Sequence, residues 1–156
     1  MFQLYAISDQ PYAIWVVQFN LRPQTEVATL FSEFAVMDAR LREGIRLFNA
    51  GRFFESHEAL EQFYQETEDS NKPFLEALIE LAVAFRLHAD FGETKGPVRM
   101  IYQALIQFEN YPATHLEIRV KDLSESLEAW AKEMEAAGKA VSSIPKILVQ
   151  GVSADY

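Results

Sequence analysis

The stretch from Ala77 to Leu87 constrains the fold more than any other. It is apolar nearly all round, carries only Glu80 and Arg86 as charges, and lies between Pro73 and Gly92. Proline in a first helical turn and glycine just past a last one mark the two ends of a helix, so a helix is expected over 73–91. A helix without a polar face must be covered on several sides, which makes this one the spine of a bundle. The apolar run is too short to span a bilayer, so it belongs to a protein core.

The flanking segments supply that cover. Leu30, Phe34, Met37, Leu41, Ile45 and Phe48 recur at spacings of three and four. They give one apolar stripe over one long helix or two short ones, closed by Gly51. A further helix is expected over about Phe53–Glu68, until the Asp69-Ser70-Asn71-Lys72-Pro73 cluster turns the chain. Another runs from about Thr94 to Phe108, with Pro97 harmless in its first turn. After an irregular stretch to Lys121, Asp122 and Glu125 have the spacing of a capping box. They would open a last helix with Leu123, Leu127, Trp130 and Met134 inward and Gly138 as its stop. The fold class that follows is mainly all-α: a compact bundle of about five helices, built from two helical hairpins that turn at Gly51 and Gly92.

Two segments do not read as helix. Tyr12 to Leu21 is dense in β-branched and aromatic residues and lies between Pro11 and Pro23, a strand-like signature that places a short β segment at the N-terminus. Ile147 to Val149 is also β-prone, and pairing between the two segments is the expectation.

Composition narrows the function classes. The chain has 156 residues, enough for one domain that buries roughly two thirds of its unfolded surface without a staple. It has no cysteine, so disulfides, thiolate metal sites and cysteine nucleophiles are excluded. A net charge of -9 argues against a nucleic-acid partner, because phosphate binding draws on clustered Lys and Arg. The N-terminus lacks the basic and continuously apolar regions of a signal peptide, being interrupted by Asp9, Gln10 and Pro11. A cytoplasmic protein, off the membrane, is the expectation.

One motif stands out. On a helix, His57 and Glu61 are four residues apart and Glu58 and Glu61 three apart, so imidazole and carboxylates share a surface patch. His57 and Glu61 are candidate ligands for a divalent metal, with Glu58 as general base and Glu76 or Glu80 from the spine helix completing the site. The zincin pattern is absent, because Glu61 stands in place of its second histidine. The Glu-x-x-His pair of di-iron bundles is absent too, because position 54 is Phe. The competing expectation is structural: His57 shares its face with Phe53, Leu60 and Tyr64 and would be a core histidine hydrogen-bonded to a carboxylate. Glu55 would complement the macrodipole from the first turn. His88, near the end of the spine helix, and His115, in a polar loop, are weaker candidates. Ser56 beside His57 is no dyad, since adjacent helical residues diverge by about 100°.

The run Gly44-Ile45-Arg46-Leu47-Phe48-Asn49-Ala50-Gly51-Arg52-Phe53-Phe54-Glu55-Ser56-His57-Glu58-Ala59-Leu60-Glu61 resembles the signature of the DUF309 family, small prokaryotic proteins with a domain of unknown function. The segment from Leu78 to Phe85, then Gly92 and Gly96, is similar to the second half of that pattern. Tyr111-Pro112 with Ile118 and Leu123 resembles its third block. The chain departs from the family at Tyr64, where tryptophan is usual, at Glu80, often glutamine, and at Glu93 and Pro97, usually asparagine and alanine. The resemblance implies an all-helical bundle with no established activity. It divides a single 1–156 domain into an N-terminal extension over 1–37, a family core over 38–123 and a C-terminal helix and tail over 124–156.

Three classes of function stay open. The chain is a helical scaffold or partner-binding module, taking a protein partner or a second copy of itself. Alternatively it is a metal-dependent, hydrolase-like enzyme using the His57, Glu58 and Glu61 cluster, within a candidate motif site of Glu55, His57, Glu58, Glu61, Tyr64 and Glu80. Or it binds a small apolar ligand among its phenylalanines.

Overall fold

A computed structural model describes residues 3–6, 15–18, 37–139 and 142–151. The chain divides into two compact units, Met1–Val36 and Met37–Tyr156. In the first, β1 (Gln3–Ala6) pairs antiparallel with β2 (Trp15–Gln18), in a register that sets Gln3 opposite Gln18 and Ala6 opposite Trp15. The strand expected from the aromatic and β-branched run is therefore present over 15–18. The pairing found differs from the expected one: β2 pairs with β1, a neighbour in sequence whose closure costs little chain entropy, and Val149 bridges Ile118. The early part of the apolar stripe, Leu30 and Phe34, lies outside the described residues.

The second unit is an all-α bundle of five helices: α1 (Ala39–Asn49), α2 (Phe53–Glu66), α3 (Lys72–Phe91), α4 (Lys95–Phe108) and α5 (Val120–Ala137). Asp38 starts α1, its Oδ1 accepting the Arg40 backbone N–H at 2.9 Å. Gly51 follows the end of α1 at φ +76, a left-handed conformation that frees the chain to reverse into α2. Gly92 does the same after α3 at φ +67. Each helix packs on its neighbour in sequence, so α3 lies between α2 and α4, as its apolar surface requires.

Phe74, Leu75, Leu78, Leu81 and Phe85 of α3 are fully buried, each such side chain worth about 1.5–3 kcal/mol of transfer free energy. Phe85 ties three elements together. Its ring meets Phe48 of α1 at 5.7 Å, Phe53 of α2 at 5.9 Å and Trp130 of α5 at 5.1 Å. No described helix is long and apolar enough to cross a membrane.

The region after α4 differs from expectation in two ways. Residues 115–118 form a tight turn in which the His115 and Ile118 backbones exchange hydrogen bonds of 3.0 and 2.8 Å. Leu116 and Glu117 both take positive φ there. This turn receives the C-terminal segment: Arg119 N–H donates to Leu148 O, and Ile118 bridges Val149. The expected capping box is also corrected. Helix α5 begins at Val120, so Asp122 lies inside the first turn, where its carboxylate pairs with Arg119 at 2.6 Å. An acidic residue suits that dipole position without acting as the cap.

Candidate functional site

The signature run from Gly44 to Glu61 folds into the α1–Gly51–α2 hairpin, and packing accounts for much of it. Ser56 is fully buried, and its Oγ donates to the Gly44 carbonyl at 2.7 Å. A Cβ on Gly44 would stand 2.7 Å from Leu60, so glycine is what lets α1 and α2 approach there. Asn49 reaches the backbone of Ile147, giving one hydrogen bond and taking another. Phe48 and Phe53 meet edge to face at 5.3 Å. None of these roles depends on a ligand.

The acidic and imidazole side chains of the motif are what packing leaves over. Glu55 pairs with Arg52 at 3.0 Å. A backbone N–H in its own turn and that guanidinium hold its carboxyl below the usual carboxylate range. Glu58 is exposed, and Glu61 accepts a long 3.3 Å hydrogen bond from Gln65. His57 is half-buried, and among the described residues it has no hydrogen-bond or ion-pair partner, so the carboxylate expected to hold it in the core is not there.

The donors expected from the spine helix meet a different residue. Tyr64 Oη donates to Glu76 Oε1 at 2.7 Å, and the Lys72 ammonium lies 5.6 Å from the Tyr64 ring centre. The Glu76 carboxylate, with partial burial, raises the Tyr64 hydroxyl above its ordinary value. Glu80 is one turn further along α3, where burial, and then the nearby Glu76 charge, push its carboxyl up. Tyr64 is thus joined to Glu76, whose charge reaches Glu80, and His57 lines a different surface. Among the described residues no group of three or more His, Cys, Asp or Glu side chains is placed to hold a metal ion.

What His57 does face is a cavity of about 330 Å³ between α2 and α3, lined by Phe53, Phe54, His57, Val83, Arg86 and Phe91 among others. Phe54 and Phe91 are 45% and 66% exposed, and with Ile106 they are the exposed large apolar side chains of the described residues. Arg86 lies over Phe54, its guanidinium carbon 4.5 Å from the ring centre. Sequence reasoning named His57 but not Arg86 or Phe91 as site residues. The available signals were a lone cation in an apolar run and a phenylalanine at the last turn before Gly92.

A second cavity, about 480 Å³, lies between α4, the 109–113 segment and α5, with Ile106 on its rim and Glu109, Glu125 and Glu128 around it. The two weaker histidine candidates are both engaged. His88 Nδ1 lies 2.9 Å from the Glu93 carbonyl oxygen, and His115 Nε2 lies 2.8 Å from Asn71 Oδ1 between the Phe74 and Tyr111 rings.

Residues 41–100 match the model of a family described as a domain of unknown function, which covers α1 to the start of α4 and includes both Gly turns and the whole of the α2–α3 cavity. The block at Tyr111-Pro112, Ile118 and Leu123 lies outside the match. No curated protein matches the chain.

Proposed function

We propose that this chain, whose residues 41–100 match the model of a domain of unknown function, is a partner-binding helical module whose docking surface is the groove between α2 and α3. The observation that carries this reading is the pair Phe54 and Phe91, which stand exposed on one groove while Phe48, Phe53, Phe74 and Phe85 are in the core and Phe63 is partly buried against it. Two phenyl rings left in water on one groove are costly, and covering them with a partner recovers about 25 cal/mol per Å² of apolar area. Aromatic side chains in a concave, otherwise apolar setting are the residues that anchor interfaces. The occupant is an apolar segment of another protein, met in the cytoplasm.

Selection from a phage-displayed random peptide library tests this. Peptides with apolar anchors should be enriched on the full chain, and they should be lost when Phe54 and Phe91 are both replaced by serine. Because both rings are exposed, that double variant should melt within a few degrees of the parent. No enrichment, or enriched peptides that bind the double variant equally well, would overturn the reading. Light scattering on both proteins adds an outcome: self-association lost in the variant would make a second copy the occupant.

A further inference from the structure

The groove contains hydrogen-bonding capacity that a purely apolar partner leaves unused. Arg86 Nε is buried without a hydrogen-bond partner. Asp90 forms an ion pair with it at 3.6 Å, longer than the roughly 2.7–3.2 Å of an N–H···O hydrogen bond. Glu55, the other acid whose charge feels Arg86, is engaged by Arg52 at 3.0 Å. On the facing helix His57 lines the same cavity, likewise without a hydrogen-bond partner among the described residues.

A guanidinium is a planar fork of N–H donors that matches a carboxylate in two places at once. Phe54 covers one face of the guanidinium, and the Arg86 side chain is 41% exposed, so an incoming carboxylate can reach it while water screens the pair in part. The cavity has room for about ten water-sized groups, enough for a short apolar body besides the anion. The net charge of -9 repels anions only over distances that physiological salt screens beyond roughly 8 Å.

We propose that the groove recognises a carboxylate carried on an apolar body. The carboxylate is seated on Arg86 with His57 beside it, and the apolar body lies against Phe53, Val83, Leu87 and Phe91. This rests on the docking reading above, and it makes the partner segment an acidic residue set among apolar ones.

Head-group exchange on one small probe tests the carboxylate separately from the partner. Phenylbutyrate, phenylbutyramide and phenylbutylamine share a body and differ in the head, and each would be titrated calorimetrically into the full chain. The acid should bind about five- to tenfold more tightly than the amide, the difference between a charged and a neutral hydrogen bond. Arg86→Gln should bring the acid down to the amide's affinity, and Arg86→Lys, which keeps the charge and loses the fork, should fall between. Equal binding of all three heads, no binding of any, or an acid preference that survives Arg86→Gln would each overturn the proposal. Equal binding would leave the docking reading intact. An acid preference without any enriched peptide would instead retain the site and remove the protein partner.

Discussion

Asn49 and Ile147 lie 98 residues apart and are joined twice: Asn49 Nδ2 donates to the Ile147 carbonyl at 2.9 Å, and the Ile147 N–H donates to Asn49 Oδ1 at 2.8 Å. A carboxamide used in this way stands in for a strand neighbour, satisfying both backbone groups of a residue that is itself buried. Asn49→Ala should cost about 1–3 kcal/mol, because it leaves a partly buried N–H and C=O without partners. Asn49→Asp, which keeps the acceptor but sets a carboxylate oxygen against the Ile147 carbonyl, should cost at least as much as Asn49→Ala. Urea unfolding of the three proteins gives the answer, and an Asn49→Ala midpoint equal to the parent's would show that the clamp contributes nothing.

Gly44 sits against Leu60 where α1 crosses α2. Adding a methyl there places it 2.7 Å from Leu60 Cγ and Cδ2, so Gly44→Ala should destabilise by about 1–3 kcal/mol through overpacking. Leu60→Ala alone should also destabilise, by about 2–5 kcal/mol, through the cavity it leaves. The double variant should lose less than the sum of the two, since the new methyl then has space. Strict additivity in a thermal double-mutant cycle would show that the two residues do not compete for it.

Burial lowers the His115 imidazole from its ordinary value. Above the unfolded-state value near 6.5 both states are neutral at this site and the stability is whole. As pH falls from there towards the lowered folded value, the unfolded state takes up the proton first and stability is lost. His115→Gln should remove that part of the pH dependence. Melting temperatures of the two proteins measured from pH 7.5 to 5 should therefore converge as the pH falls, and parallel curves would contradict the burial effect.

Glu80 behaves in the opposite sense. Its folded-state carboxyl is raised by burial and by Glu76, so the ionised form weakens the fold at neutral pH. Stability is gained as pH falls through the raised value towards the unfolded value near 4.5. Glu80→Gln should stabilise slightly at pH 7, by less than about 1 kcal/mol given its partial exposure, and the advantage should shrink with acid. A Glu80→Gln protein that melts lower than the parent at pH 7 would refute this.

Among the described residues His57 has no hydrogen-bond partner, and it is only half-buried, so His57→Ala should lower stability by less than about 1 kcal/mol. Elemental analysis of parent and variant, purified without added metal or chelator, belongs in the same experiment. The expected result is metal far below one ion per chain in both. Near-stoichiometric metal in the parent that disappears in the variant would make His57 and Glu61 ligands and redirect attention to hydrolysis.

The sequence by itself determined the helical bundle, its two Gly turns and the spine at α3, because these depend on periodicity and punctuation that are local along the chain. It also marked the Gly44–Glu61 run as special. It did not determine what that run is for. Its Asn acts on a residue far along the chain, its Ser and Gly act across a helix crossing, and no spacing rule contains either relation. The expected capping box at Asp122 failed for a similar reason: the chain enters α5 from a turn built with the C-terminal segment, which fixes the start of α5 at Val120. Tertiary structure alone decided that Glu76 meets Tyr64 while His57 shares a cavity with Arg86, Phe54 and Phe91. Helical spacing says which residues share a face, but only the packing of α2 on α3 says which residues of the other helix that face meets.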